Sequence, residues 1–107
     1  MAVLSVNPLW IAEFPDFPAD TMPAIPQTWR DISWANEPCP CFAPSDSLAV
    51  YVDFSDVAKR EFAEGPRFIV VAMEDGAHPV DGSVSLFWGD DWQAVLAFVE
   101  SECAVRS

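Results

Sequence analysis

Hydrophobic and polar positions alternate most cleanly over Leu48-Ala49-Val50-Tyr51-Val52-Asp53-Phe54. Leu48, Val50, Val52 and Phe54 share one side and Ala49, Tyr51 and Asp53 the other, which predicts a strand with one face on a core. Arg67-Phe68-Ile69-Val70-Val71-Ala72-Met73-Glu74 is continuously apolar between charged ends and rich in β-branched residues, the pattern of a strand covered on both faces. Ser83 to Trp88 predicts a returning strand with Val84, Leu86 and Trp88 on one side. Asp75-Gly76 and Asp81-Gly82 mark the long acidic tip of the hairpin between the two. The period changes after Gly89. Trp92, Val95, Leu96, Val99 and Cys103 recur at helical spacing, widened by Phe98, with Asp90 or Asp91 as the cap. Trp88 and Trp92, flanking this strand-to-helix turn, are expected in the core. Glu100 and Glu102 should face outward, and Arg106 suits the dipole at the helix end. Ser55 is placed to cap a short helix, Asp56 to Glu64, stopped by Gly65-Pro66.

The first half follows other rules. Eight of the ten prolines lie at or before Pro44, while all four glycines follow it. The first half is therefore stiff and extended, and the second half turns tightly. Prolines at 8, 15, 18, 23 and 26 exclude a long helix there and leave Leu9 to Phe14 room for one short strand. Phe14, Phe17, Met22 and Ile25 make this an arm that lies along the domain or along a partner. Gln27 to Trp34 reads as a strand, with Trp29 and Asp31 on one face and Arg30, Ile32 and Trp34 on the other. Pro38-Cys39-Pro40 calls for a loop or an edge. The expected architecture is α+β: an antiparallel sheet of three to four strands, with the C-terminal helix on one face. A Pro-rich N-terminal arm, residues 1–26, should wrap an edge or the other face of a single domain, residues 27–107.

Charge narrows the partners. Seventeen Asp and Glu against five Lys and Arg give a net −12, a sign that repels nucleic-acid phosphate and anionic membrane surfaces and favours basic partners. The start of the chain has no basic segment followed by a sustained apolar run, so a cytoplasmic protein with reduced thiols is expected.

Candidate chemistry is sparse. Cys39 and Cys41, with His78 and Cys103, could supply four metal ligands, but one intervening residue between the first two is shorter than zinc ligand spacing. The bland alternative is a tight loop whose thiols act as small hydrophobes. His78, beside Pro79, has no nucleophile or orienting partner at a recognisable spacing. Carboxylates are too many for any pair to stand out as catalytic. A cofactor is not expected. The five tryptophans are core or interface residues, and Trp29, Trp34 and Trp10, in the less regular half, are the better interface candidates. Asp53, Asp56, Glu74, Asp75, Asp81, Asp90 and Asp91 fall near strand ends and turns, where they could meet the Arg and Lys of a partner.

Trp29, Ser33-Trp34, Asn36-Glu37 and Cys39-Pro40 form a Ser-Trp-x-Asn-acid-x-Cys-Pro pattern that resembles small uncharacterised proteins of bacteria and their phages. Tyr51-Val52-Asp53, Arg60-Glu61-Phe62, Arg67-Phe68 and Asp91-Trp92 continue the likeness. It implies a bacterial or phage source and no activity. The resulting expectation is a non-enzymatic, acidic protein-binding module: a small inhibitor, of the anti-defence or immunity kind, that blocks a basic groove of a partner such as a nucleic-acid-handling protein. The alternatives are a metal-dependent or hydrolytic enzyme using the Cys/His set, and a structural subunit that self-associates through the arm. Oligomeric state is left open.

Overall fold

In the computed structural model, residues 9–60, 65–73 and 85–106 are described. Five antiparallel strands form a meander in sequence order: β1 (Arg30–Asp31), β2 (Cys41–Ser45), β3 (Leu48–Val52), β4 (Phe68–Ala72) and β5 (Ser85–Gly89). Helix α1 (Leu9–Glu13) precedes the sheet and α2 (Trp92–Arg106) follows it. The α+β class and the packed C-terminal helix match the hydrophobic pattern. The strand count is five rather than three to four, because Cys41–Ser45, for which the hydrophobic pattern predicts no strand, joins the sheet between β1 and β3. Its Pro44 is tolerated because the ladder with β3 is irregular between Phe42 and Ser45, where no proline N–H is needed.

Alternation sorts the side chains onto two faces. Phe42, Leu48, Val50, Val52, Phe68 and Val70 form one cluster with Val95 and Val99 of α2. Cys41, Ala43, Ala49, Val71 and Met73 form the second, with Ile32, Tyr51 and Ile69 against it. The faces expected for residues 29–32 hold: Trp29 packs on the first cluster and Ile32 on the second.

The arm differs from expectation. It lies on the same face as α2, with Trp10 and Phe17 buried in the shared cluster and Ile11, Phe14, Met22 and Ile25 packed against it. Leu9 to Glu13 is helical rather than extended. The apolar positions 10, 11 and 14 follow a helical period, the Phe14 amide bonds the Trp10 carbonyl at 2.8 Å, and Asp31 Oδ2 accepts the Trp10 amide at 2.9 Å. One core therefore spans the boundary at residue 26.

Two further expectations fail locally. The helix from Asp56 is a single 3₁₀ turn, Val57–Lys59, capped by Asp56 rather than Ser55; residues 61–64 lie outside the described residues. The Arg60 guanidinium, on a buried side chain, bonds the carbonyls of Phe54, Ser55 and Gly65. Trp88, expected in the core, is 63% exposed. The ladder shifts between Val70 and Val71, so Leu86 is an extra residue on β5. Leu86 and Phe87 both pack toward α2, and Trp88 turns to the other face beside Ile69. Asp91 caps α2 through the Gln93 amide at 3.0 Å. Glu100 is exposed as expected, while Glu102 is half-buried. No helix among the described residues is long and apolar enough to cross a membrane.

Candidate functional site

A surface groove beside an exposed tryptophan lies where the arm meets the connection from β1 to β2. Ser33 closes the base of that connection: its Oγ accepts the Cys41 amide at 3.1 Å and donates to the Cys41 carbonyl at 3.3 Å. The chain then turns over Trp34–Glu37, with the Glu37 amide on the Trp34 carbonyl at 2.8 Å. Two carboxylates brace the turn from opposite sides. Glu13, at the end of α1, accepts the Ala35 amide at 2.8 Å. Glu37 accepts the Tyr51 hydroxyl at 2.8 Å. Asp31 ties the start of α1 to the same region, since its other oxygen accepts the Ser33 amide at 3.0 Å. Leu9 and Glu13, one helical turn apart, thus both reach this segment.

The result is a shallow groove of about 470 Å³ lined by Leu9, Asp31, Ile32, Ser33 and Trp34. Trp34 is 49% exposed and Leu9 43%. None of the described lining residues is basic; Asp31 lines the groove, and Glu13 and Glu37 belong to the bonding of the adjoining turn. An exposed indole on a braced turn loses little freedom on binding, and carboxylates at its margin favour a cationic neighbour.

The Cys41 thiol beneath is not poised to react. Cys41 is fully buried. That burial, then the charges of Glu37 and Asp31, push its thiol far above the ordinary range. Burial likewise raises the Tyr51 phenol, followed by Cys41 and the bond to Glu37. Neither supplies an anion at neutral pH. Topology parts two of the four residues of the metal alternative. Cys41 lies in the cluster on one face of the sheet, and Cys103 of α2 packs on the cluster of the other. The sheet separates them. His78 lies outside the described residues, and among those described no group of three or more His, Cys, Asp or Glu could hold a metal ion.

The acidic candidates divide. Asp53, Asp56, Asp90 and Asp91 sit at one end of the sheet, where Val52 pairs with Phe68 and Phe68 with Gly89. Each is engaged locally. Asp53 is buried and accepts the Phe54 amide; Asp56 and Asp91 cap; Asp90 accepts the Arg67 amide at 2.9 Å and approaches Arg60 at 3.4 Å. Arg67 bonds the carbonyls of Asp53 and Thr21. Burial, then the nearby Arg60, pull its guanidinium below the usual range, with Asp90 and Asp53 opposing. With Lys59, the described residues of this end carry three cations against four carboxylates. Glu74, Asp75 and Asp81 lie outside the described residues.

Among the aromatic candidates, Trp34 is exposed, while Trp29 is half-buried and meets Trp92 edge-on at 5.7 Å. Trp10 is buried. Sequence reasoning missed Leu9, Glu13 and Glu37. Their signal was the helical spacing of positions 9 and 13, hidden while that stretch read as a strand. The chain matches no family model, no curated protein and no solved structure.

Proposed function

We propose that this chain is a non-enzymatic acidic protein-binding module, a small inhibitor of the anti-defence or immunity kind that occupies a basic groove of a partner protein. The observation that supports it is the Trp34 groove: an exposed indole on a turn braced by Glu13 and Glu37, beside Leu9 and Asp31, with no cation among the described lining residues. Trp34 would anchor the contact. The carboxylates would meet Arg or Lys of a nucleic-acid-handling surface and deny it phosphate. Net charge −12 would speed encounter with such a surface at low salt. The acidic contact shifts from the Asp53–Asp91 end, where each of the four aspartates has a local partner, to the arm and the β1–β2 connection. Self-association through the arm has less to support it, since Trp10 and Phe17 are already buried against their own sheet.

Affinity capture from bacterial lysate, with wild-type protein and Trp34→Ala side by side, tests the reading. Basic nucleic-acid-handling proteins should be retained by the wild type, released as salt rises, and lost from the variant. Equal recovery by both proteins, or retention indifferent to salt, would refute it.

A further inference from the structure

The outer edge of β5 lies away from that groove and offers a different kind of contact. Among the described residues β5 ends the sheet, and β4 is its one neighbour. Ser85–Gly89 has no proline and no charged residue, two of the devices that keep natural edges from pairing. Apolar side chains stand partly open on both sides of it. Trp88 is 63% exposed, in a cross-strand row with Ile69 and Tyr51. On the α2 side Leu86 and Phe87 are half-buried, and Phe87 stacks at 5.1 Å on the half-buried Phe98. Their counterparts on the inner strands, Val50 and Val70, are fully buried. One more strand would cover both margins while taking up the backbone groups of the edge.

Charge selects the occupant. A second copy would bring another −12 to the seam, and Asp90 and Asp91 lie exposed immediately past Gly89, so self-pairing is opposed. A cationic side chain instead finds the open ring of Trp88 on a chain of net −12. We propose that the β5 edge accepts an extended basic segment of a partner protein as a sixth strand. Its apolar residues would fall on the α2 side and its Lys or Arg on the Trp88 side. The basic chemistry of the partner is that of the proposed function; the site is separate, and either can fail alone.

The probe is a short synthetic peptide of alternating Lys and Val, added to the full chain. A control peptide carries N-methyl groups on alternate amides, which removes strand donors. Amide hydrogen exchange and peptide affinity are read together. The peptide should slow exchange within residues 85–89, the methylated control should not, and Trp88→Ala should weaken affinity about tenfold. Trp34→Ala should bind the peptide as the wild type does. A urea midpoint close to wild type for Trp88→Ala shows that the fold is kept; Trp88→Tyr, keeping a ring, should restore most of the affinity. Protection elsewhere than 85–89, equal binding of the methylated control, or dimerisation of the free protein through this edge would overturn the proposal.

Discussion

Replacing Phe17 by Ala tests whether the N-terminal arm belongs to the core or merely lies on it. Phe17 is 4% exposed. Its ring centroid is 4.9 Å from that of Phe54 and 5.6 Å from that of Trp10. It therefore links the arm to the chain beyond β3. Phe→Ala in a packed core costs about 3–5 kcal/mol, and losing two ring contacts places this site toward the upper half, about 4 kcal/mol. A chain of this length has roughly 5–15 kcal/mol in all, so the loss is a large share. With a urea m-value of about 2 kcal/mol/M, the midpoint should fall by about 2 M with m unchanged. The exposed neighbour Asp16, changed to Ala, should move stability by less than about 0.5 kcal/mol. A Phe17→Ala midpoint shift under about 0.5 M, or a separate early transition for the arm, would refute the shared core.

Four further outcomes are expected. Arg60→Lys should destabilise by about 2 kcal/mol or more in urea unfolding, because a single ammonium cannot serve the three carbonyls that the guanidinium bonds; a neutral result would show that the loop needs no such hub. Asp31→Ala removes the acceptor for the Trp10 and Ser33 amides and should cost about 1.5–3 kcal/mol, with faster exchange at both amides as the local signature. Trp92 Nε1 is buried with no partner among the described residues, so Trp92→Phe relieves an orphaned donor and should cost under about 1.5 kcal/mol, well below a large core truncation. The Cys41 thiol stays protonated in the fold, while an unfolded thiol titrates near 9.0. Its contribution to stability is thus whole below that pH and is lost as pH rises above it, at up to about 1.4 kcal/mol per pH unit. Urea midpoints against pH should be flatter for Cys41→Ala; identical profiles would sink the assignment.

The elements legible from the chain were those whose apolar period is long and uninterrupted. β3, β4 and α2 are of this kind, and their faces came out as the pattern predicts. What misled were short stretches in which a single side chain outweighs the period. Asp31 draws the Ser33 amide to itself and ends β1 early. Arg60 gathers carbonyls and displaces a helix. An extra residue at Leu86 reverses the side on which Trp88 lies. The candidate site was legible only in Trp34. Its braces, Glu13 and Glu37, take their meaning from Ala35 and Tyr51 across the fold, partners that no local pattern reveals. Abundant carboxylates drew attention to the sheet end instead, where spacing could not show that Arg60 and Arg67 would converge on the same place.

The turn at Trp34–Glu37 separates holding from display. Ala35 is held through its backbone amide alone, and Asn36, beside it, is exposed. Substitutions at 35 and 36 would therefore change what the turn shows to its surroundings while leaving the bonds of Glu13, Ser33 and Glu37 in place. Such an arrangement lets the exposed chemistry of the turn be altered without a toll on stability. It also makes these two positions a natural place to graft a short foreign loop.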